Sequence, residues 1–174
     1  MCTDDYSALM RLLKESQIPF EKHEHEEVHT MEDCYRVQRL SENTVMPKNI
    51  LLCNRQQTRF YLYVCSPFVA FRTAAFSKAM GISRVSFAAD EHLARLLHVA
   101  PGALTPLALL FDEGREVQLC MDQALLSSEY LAFHPLVPTE TLIFKRDVFL
   151  SRFLPLTEHM PVFVPPAGEI QDPV

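Results

Sequence analysis

The stretch NILLCNRQQTRFYLYVC, residues 49–65, decides the fold. Two apolar, β-forming runs, NILLCN and RFYLYVC, are joined by the polar QQT, and this spacing predicts a hairpin. Downstream, FRTAAFSKAMG (71–81) has helical apolar spacing and ends on Gly81, a C-terminal cap. SRVSFA (83–88) reads as a short strand, and Asp90 opens the helix DEHLARLLHV (90–99). PGALTP (101–106) is a turn leading into an expected strand LALLF (107–111), and DEGR then links to a strand EVQLCM (116–121). TLIF (141–144) is a further strand, followed by a helix over DVFLSRFL (147–154). Upstream, residues 4–16 place Leu9, Leu12 and Leu13 on one face of a helix behind an acidic first turn. FEKHEHEEV (20–28) alternates like a strand, and Thr30 with Asp33 predicts a capped helix running to about Arg39. Together these elements predict an α/β fold: a single domain over residues 1–158 with one mixed, mostly antiparallel sheet flanked by helices. The proline-rich stretch 159–174 is expected to be an extended tail.

Composition narrows the class. A chain of 174 residues with 48% hydrophobic content can bury one good core, whereas two domains would leave both thin. No apolar run approaches the ~20 residues of a membrane helix, and the acidic start MCTDDYSALM is unlike a signal peptide, so a soluble, cytoplasmic protein with no membrane partner is expected. Five cysteines without CxxC spacing indicate reduced packing thiols rather than a disulfide framework or zinc ribbon. The net charge of −6 argues against a polyanionic partner, but its distribution does not. Between Glu42 and Asp90 there is no acidic residue, while Lys48, Arg55, Arg59, Arg72, Lys78 and Arg84 supply six cations. Such a segment suits a phosphate-bearing ligand; equally, its cations could be surface residues whose carboxylates come from elsewhere in the fold.

Several side chains invite a chemical reading. His23, His25 and His29 in HEHEEVH could ligate a metal, since a strand puts His23 and His25 on one face; the alternative is an exposed, charge-rich edge strand. The missing second ligand cluster favours the alternative, so no metal is assigned. Ser66 and the cysteines lack the context of a nucleophile. His92 and His98 read as surface residues, and His159 carries no signal. His134 precedes Pro135 in a strand-ending turn, where a histidine can simply cap a backbone carbonyl.

Three separated segments, PKNILL (47–52), APGALTP (100–106) and FHPL (133–136), with FRTAAFSKAMGISRVSFA (71–88) between the first two, carry a resemblance. In order they give a Lys-Asn pair opening a strand, a helix ending in Ala-x-Gly, a Ser-Phe-Ala strand, a Gly-x-x-x-Pro loop and a Phe-His-Pro turn. This pattern resembles the YbaK/prolyl-tRNA-synthetase-associated editing domain family, most of all its freestanding prolyl-tRNA editing proteins, over roughly residues 5–155.

The resemblance implies a deacylase that clears wrongly attached amino acids from tRNA, with alanyl-tRNA(Pro) as the usual substrate of that branch. It implies that Lys48 engages the terminal nucleotide and the ester, and that His134 stands beside the aminoacyl group. Asn49 completes the Lys-Asn pair, Gly102, Ala103 and Pro106 belong to the loop lining the amino-acid pocket, and Phe133 belongs to the turn. Where the family usually has an asparagine after the histidine this chain has Pro138, and Thr139 or Thr141 stands near enough to replace it. No cofactor is implied. The implied partners are a mischarged tRNA and a prolyl-tRNA synthetase that could deliver it. The competing reading is a non-catalytic tRNA-binding module, with a metal hydrolase built on HEHEEVH a distant third.

Overall fold

The computed structural model describes residues 2–26 and 43–170, so the helix expected from Thr30 to Arg39, and His29, lie outside the described residues. Helix α1 (Cys2–Glu15) leads to β1 (Glu21–Glu24), and after the gap come β2 (Thr44–Val45), β3 (Lys48–Asn54), β4 (Phe60–Cys65) and β5 (Val69–Phe71). Next are α2 (Thr73–Met80), β6 (Val85–Phe87) and α3 (Asp90–Leu97), then β7 (Val117–Asp122), β8 (Tyr130–Phe133) and β9 (Glu140–Lys145). A helical run over 146–157, α4, precedes β10 (Val162–Val164) and β11 (Gly168–Ile170).

The hairpin forms as its pattern requires, with β3 and β4 antiparallel and Leu51 opposite Leu62. It is the middle of a five-stranded mixed sheet ordered β10-β7-β4-β3-β6, in which β4–β7 and β7–β10 are parallel. Every residue of β4 is buried because both faces are covered. Phe60, Leu62 and Val64 point into the larger core with α1, α3 and α4, while Tyr61, Tyr63 and Cys65 point to the core beneath Phe76 of α2. The other strands do not join this sheet: β1-β9-β8-β2 form a separate four-stranded sheet, and β5 pairs with β11. Among the described residues no helix is long and apolar enough to cross a membrane.

The expected strand LALLF is instead part of a 3-10 helix, Pro106–Phe111. A short apolar run has no period that separates strand from buried helix. The residues before it decide: the Thr105 side chain accepts a hydrogen bond from the Leu107 N–H at 3.4 Å, and Pro106 pre-sets the first helical φ. In α4 the turns over Phe149–Phe153 widen to a π-helix just before Pro155, whose ring lacks the N–H that regular α geometry would use.

Residues 159–170 of the proline-rich stretch are stitched into the body as two short strands. β10 lies parallel to β7, β11 lies antiparallel to β5, and the Ala167 N–H donates to the Tyr63 hydroxyl at 3.1 Å. Only glycine fits at 168, because a Cβ there would collide with the Ala70 carbonyl oxygen.

His159, which carries no signal in the sequence, is 3% exposed against a 2% exposed Asp112. Its Nε2 donates to the Asp112 carboxylate at 3.0 Å and its Nδ1 to the Thr157 carbonyl at 2.6 Å. Asp112 also accepts the N–H groups of Glu116 and Val117, and these hydrogen bonds hold its pKa below the usual carboxylate range although burial alone would raise it. Removing one partner of such a pair leaves a buried charge, so His159→Leu is expected to lower unfolding stability by about 3 kcal/mol. Urea denaturation checks this; a loss below about 1 kcal/mol would mean that the pair contributes little.

Candidate functional site

Residues from four distant segments line one cavity of about 440 Å³ between the two larger sheets. Lys48 and Asn49 come from the first residues of β3, Gly102 from the turn after α3, and Phe133 and His134 from the end of β8. Leu51, Leu93, Leu104 and Ala132 supply apolar wall, and Phe87 of β6 and Asp90 of α3 also line it. The size lies within the range of small-molecule sites.

Each polar group is held by local structure. Lys48 Nζ donates to the Val69 carbonyl at 3.4 Å, and an ammonium carries two further protons for a ligand. Asn49 Nδ2 donates to the Leu104 carbonyl at 3.0 Å, tying the strand to the loop. Its Oδ1 is buried and has no hydrogen-bond partner among the described residues, which makes it an acceptor suited to a ligand N–H or O–H. His134 donates from Nδ1 to the Glu140 carbonyl at 2.8 Å, closing the turn between β8 and β9 and putting the ring lone pair on Nε2. The carbonyl-capping role considered from sequence is therefore filled by a residue that also lines the cavity. Burial lowers the His134 pKa below that of ordinary imidazole, and nearby His25 lowers it further.

Of the other residues expected at the site, Ala103 is half-buried and packs against the core, Pro106 is buried at the start of the 3-10 helix, and Thr139 is exposed. None of the three lines the cavity. The Thr139 carbonyl instead accepts the His25 N–H at 2.9 Å. Pro138 is exposed and also off the lining, so it removes no donor from the wall, whereas Ala132 is buried and part of it. Gly102 has φ +85° with nothing within 4 Å of a built Cβ, so the turn needs glycine for its backbone angle rather than for close packing.

His25 is the residue whose place the sequence reading missed. It packs edge-on to His134 with centroids 5.7 Å apart, and its Nε2 meets the Thr141 hydroxyl at 3.0 Å. It directly follows β1, and its N–H bond to the Thr139 carbonyl beside the β1–β9 pairing brings it next to His134. Among the described residues no three His, Cys, Asp or Glu side chains group to hold a metal ion. Burial pushes the Cys65 and Cys120 thiols up to about 12, which leaves them unreactive packing groups.

Comparison with known proteins identifies the family of the chain. Residues 25–150 match the model of the aminoacyl-tRNA editing domain. The prolyl-tRNA editing protein ProX of Acetoanaerobium sticklandii is 27% identical over 135 residues, covering 78% of this chain and 82% of that protein. Prolyl-tRNA synthetase associated domain-containing protein 1 of Danio rerio is 31% identical over 145 residues, covering 81% of this chain and 76% of that one. A crystal structure described as a candidate trans-editing enzyme for prolyl tRNA synthetase shares the fold, with a TM-score of 0.66 at 12% identity over 92% of this chain and 96% of that one. A model match across most of the sequence, a relative above 30% identity and a common fold make this chain a member of the aminoacyl-tRNA editing domain family.

Proposed function

We propose that the chain is a trans-editing deacylase that hydrolyses the ester between a small amino acid and the 3′-terminal ribose of a mischarged tRNA, with alanyl-tRNA(Pro) as substrate. The observation that carries this reading is the convergence of Lys48, Asn49, Gly102 and His134 on one cavity from segments far apart in the chain.

An aminoacyl ester is already activated, so the protein needs to position it, stabilise charge and admit water. The Lys48 ammonium suits the terminal phosphate or a ribose oxygen. The Asn49 Oδ1 acceptor fits the substrate ammonium or the 2′-hydroxyl. Neutral His134, aided by the 2′-hydroxyl, orients the water that adds to the carbonyl carbon. The tetrahedral centre then expels the 3′-oxygen, which takes up a proton, leaving the free amino acid and tRNA with a 3′-hydroxyl. No acyl-enzyme is needed. The apolar walls limit the acyl group by clash, which discriminates more sharply than the loss of a methylene contact. The synthetase that mischarges the tRNA would release the substrate to this chain in trans.

The test is a panel of tRNAs esterified with alanine, serine, threonine, cysteine and proline. Release of alanine from alanyl-tRNA(Pro), with prolyl-tRNA(Pro) intact, is the expected result. If every ester survives micromolar protein the deacylase reading is wrong, and salt-dependent tRNA binding without turnover would identify a binding module instead.

A further inference from the structure

We propose that the edge strand β6 and the basic cluster at the far end of the five-stranded sheet form the track on which the tRNA 3′ end and acceptor stem lie. This rests on the reading that the cavity receives a tRNA-linked ester. Phe87 is 64% exposed, lines the cavity, and meets Phe71 in a T-shaped contact with centroids 5.8 Å apart. From there β6 runs antiparallel to β3, with Phe87 beside Leu52 and Val85 beside Asn54, so the chain passes from the cavity wall to the opposite end of the sheet. At that end Arg84 meets Arg55 and Arg59 around a second concavity of about 680 Å³, which no carboxylate lines. All three arginines are exposed, and among the described residues none has an ion-pair partner. Two carboxylates at the neighbouring sheet edge are already engaged, Glu116 by Arg95 and Glu158 by Arg115.

This arrangement fits one class of ligand. An exposed aromatic face on the cavity wall stacks a base without regard to sequence, and guanidiniums spaced beyond it meet phosphates. Six residue steps along β3 from Lys48 to Asn54 span about 20 Å. A helically stacked strand carries a phosphate about every 3.4 Å, so the distance covers roughly six nucleotides, the unpaired 3′ end and the first stem pairs. The acid-free stretch of sequence thus divides its work: Lys48 serves the ester, and Arg55, Arg59 and Arg84 serve the RNA backbone.

Binding of uncharged tRNA(Pro) transcript and of a CCA trinucleotide, followed by fluorescence anisotropy across a salt titration, tests the track. In about 50 mM salt the triple variant Arg55→Gln, Arg59→Gln, Arg84→Gln is expected to bind tRNA at least about tenfold more weakly, with a log–log salt slope smaller by about two. The trinucleotide should bind it as it binds the wild type. Phe87→Ala should weaken both probes, and Arg→Lys at the three positions should retain most tRNA affinity. A triple variant with wild-type affinity and slope overturns the proposal, as does polyglutamate competing as well as tRNA. Because the readout is binding, a chain inactive in the deacylation panel still decides the question. Conversely, alanyl-tRNA(Pro) hydrolysis with an unchanged KM in the triple variant removes the track and leaves the deacylase reading standing.

Discussion

Replacing Lys48 with alanine is expected to lower kcat/KM for alanyl-tRNA(Pro) by at least about 100-fold, the usual cost of deleting one preorganised donor at a reacting centre. Folding should be nearly unaffected. Lys48 is half-buried at the first position of β3, and the variant loses one long contact to the Val69 carbonyl. Lys48→Arg should not restore the rate, since a planar fork cannot occupy the place of a compact ammonium. Single-turnover deacylation with matched thermal melts decides it, and a variant within tenfold of wild type would remove Lys48 from the chemistry.

His134→Ala is expected to cost about 10²–10⁴ in rate, the range of a positioned acid–base group. The pH profile gives a second, independent reading. Burial disfavours the imidazolium, so the folded chain keeps His134 neutral below the ordinary histidine value of 6.5. Activity that needs the neutral ring should therefore hold at pH 6.5 and fall only at lower pH. The same shift acts on stability: the unfolded chain binds this proton more readily, so the contribution is complete above the unfolded pKa and lost as pH falls towards the folded one. An acidic limb centred above 6.5, or an alanine variant with an unchanged profile, would assign the limb to another group. Mutating His25, whose ring sits edge-on to His134, should move the midpoint upward by relieving like-charge repulsion.

The hairpin was legible because alternation and loop length act locally, and the same holds for α2 with its Gly81 cap. What the sequence hid depends on long-range pairing. Whether β8 and β9 join β4 or form their own sheet is decided by partners more than 60 residues away, about which periodicity is silent. The Lys48, Asn49, Gly102, Phe133 and His134 set was readable through ordered motifs, and all five line the cavity. Ala103 and Pro106 belong to the Gly-x-x-x-Pro loop and Thr139 follows the Phe-His-Pro turn, yet they face the core, the 3-10 turn and solvent, because a place in a loop motif does not fix side-chain direction. His159 and Asp112 could not be matched from sequence, being 47 positions apart with no motif joining them.

The paired C-terminal strand has a practical corollary. Val69, whose carbonyl anchors the Lys48 ammonium, is in register with Ile170, and Phe71 with Gly168. A shortened version ending where the prolines begin would retain every cavity residue and yet lose the strand that braces the Lys48 anchor. Trimming this chain to a tidy minimal unit would thus loosen the anchor of that ammonium without touching the cleft.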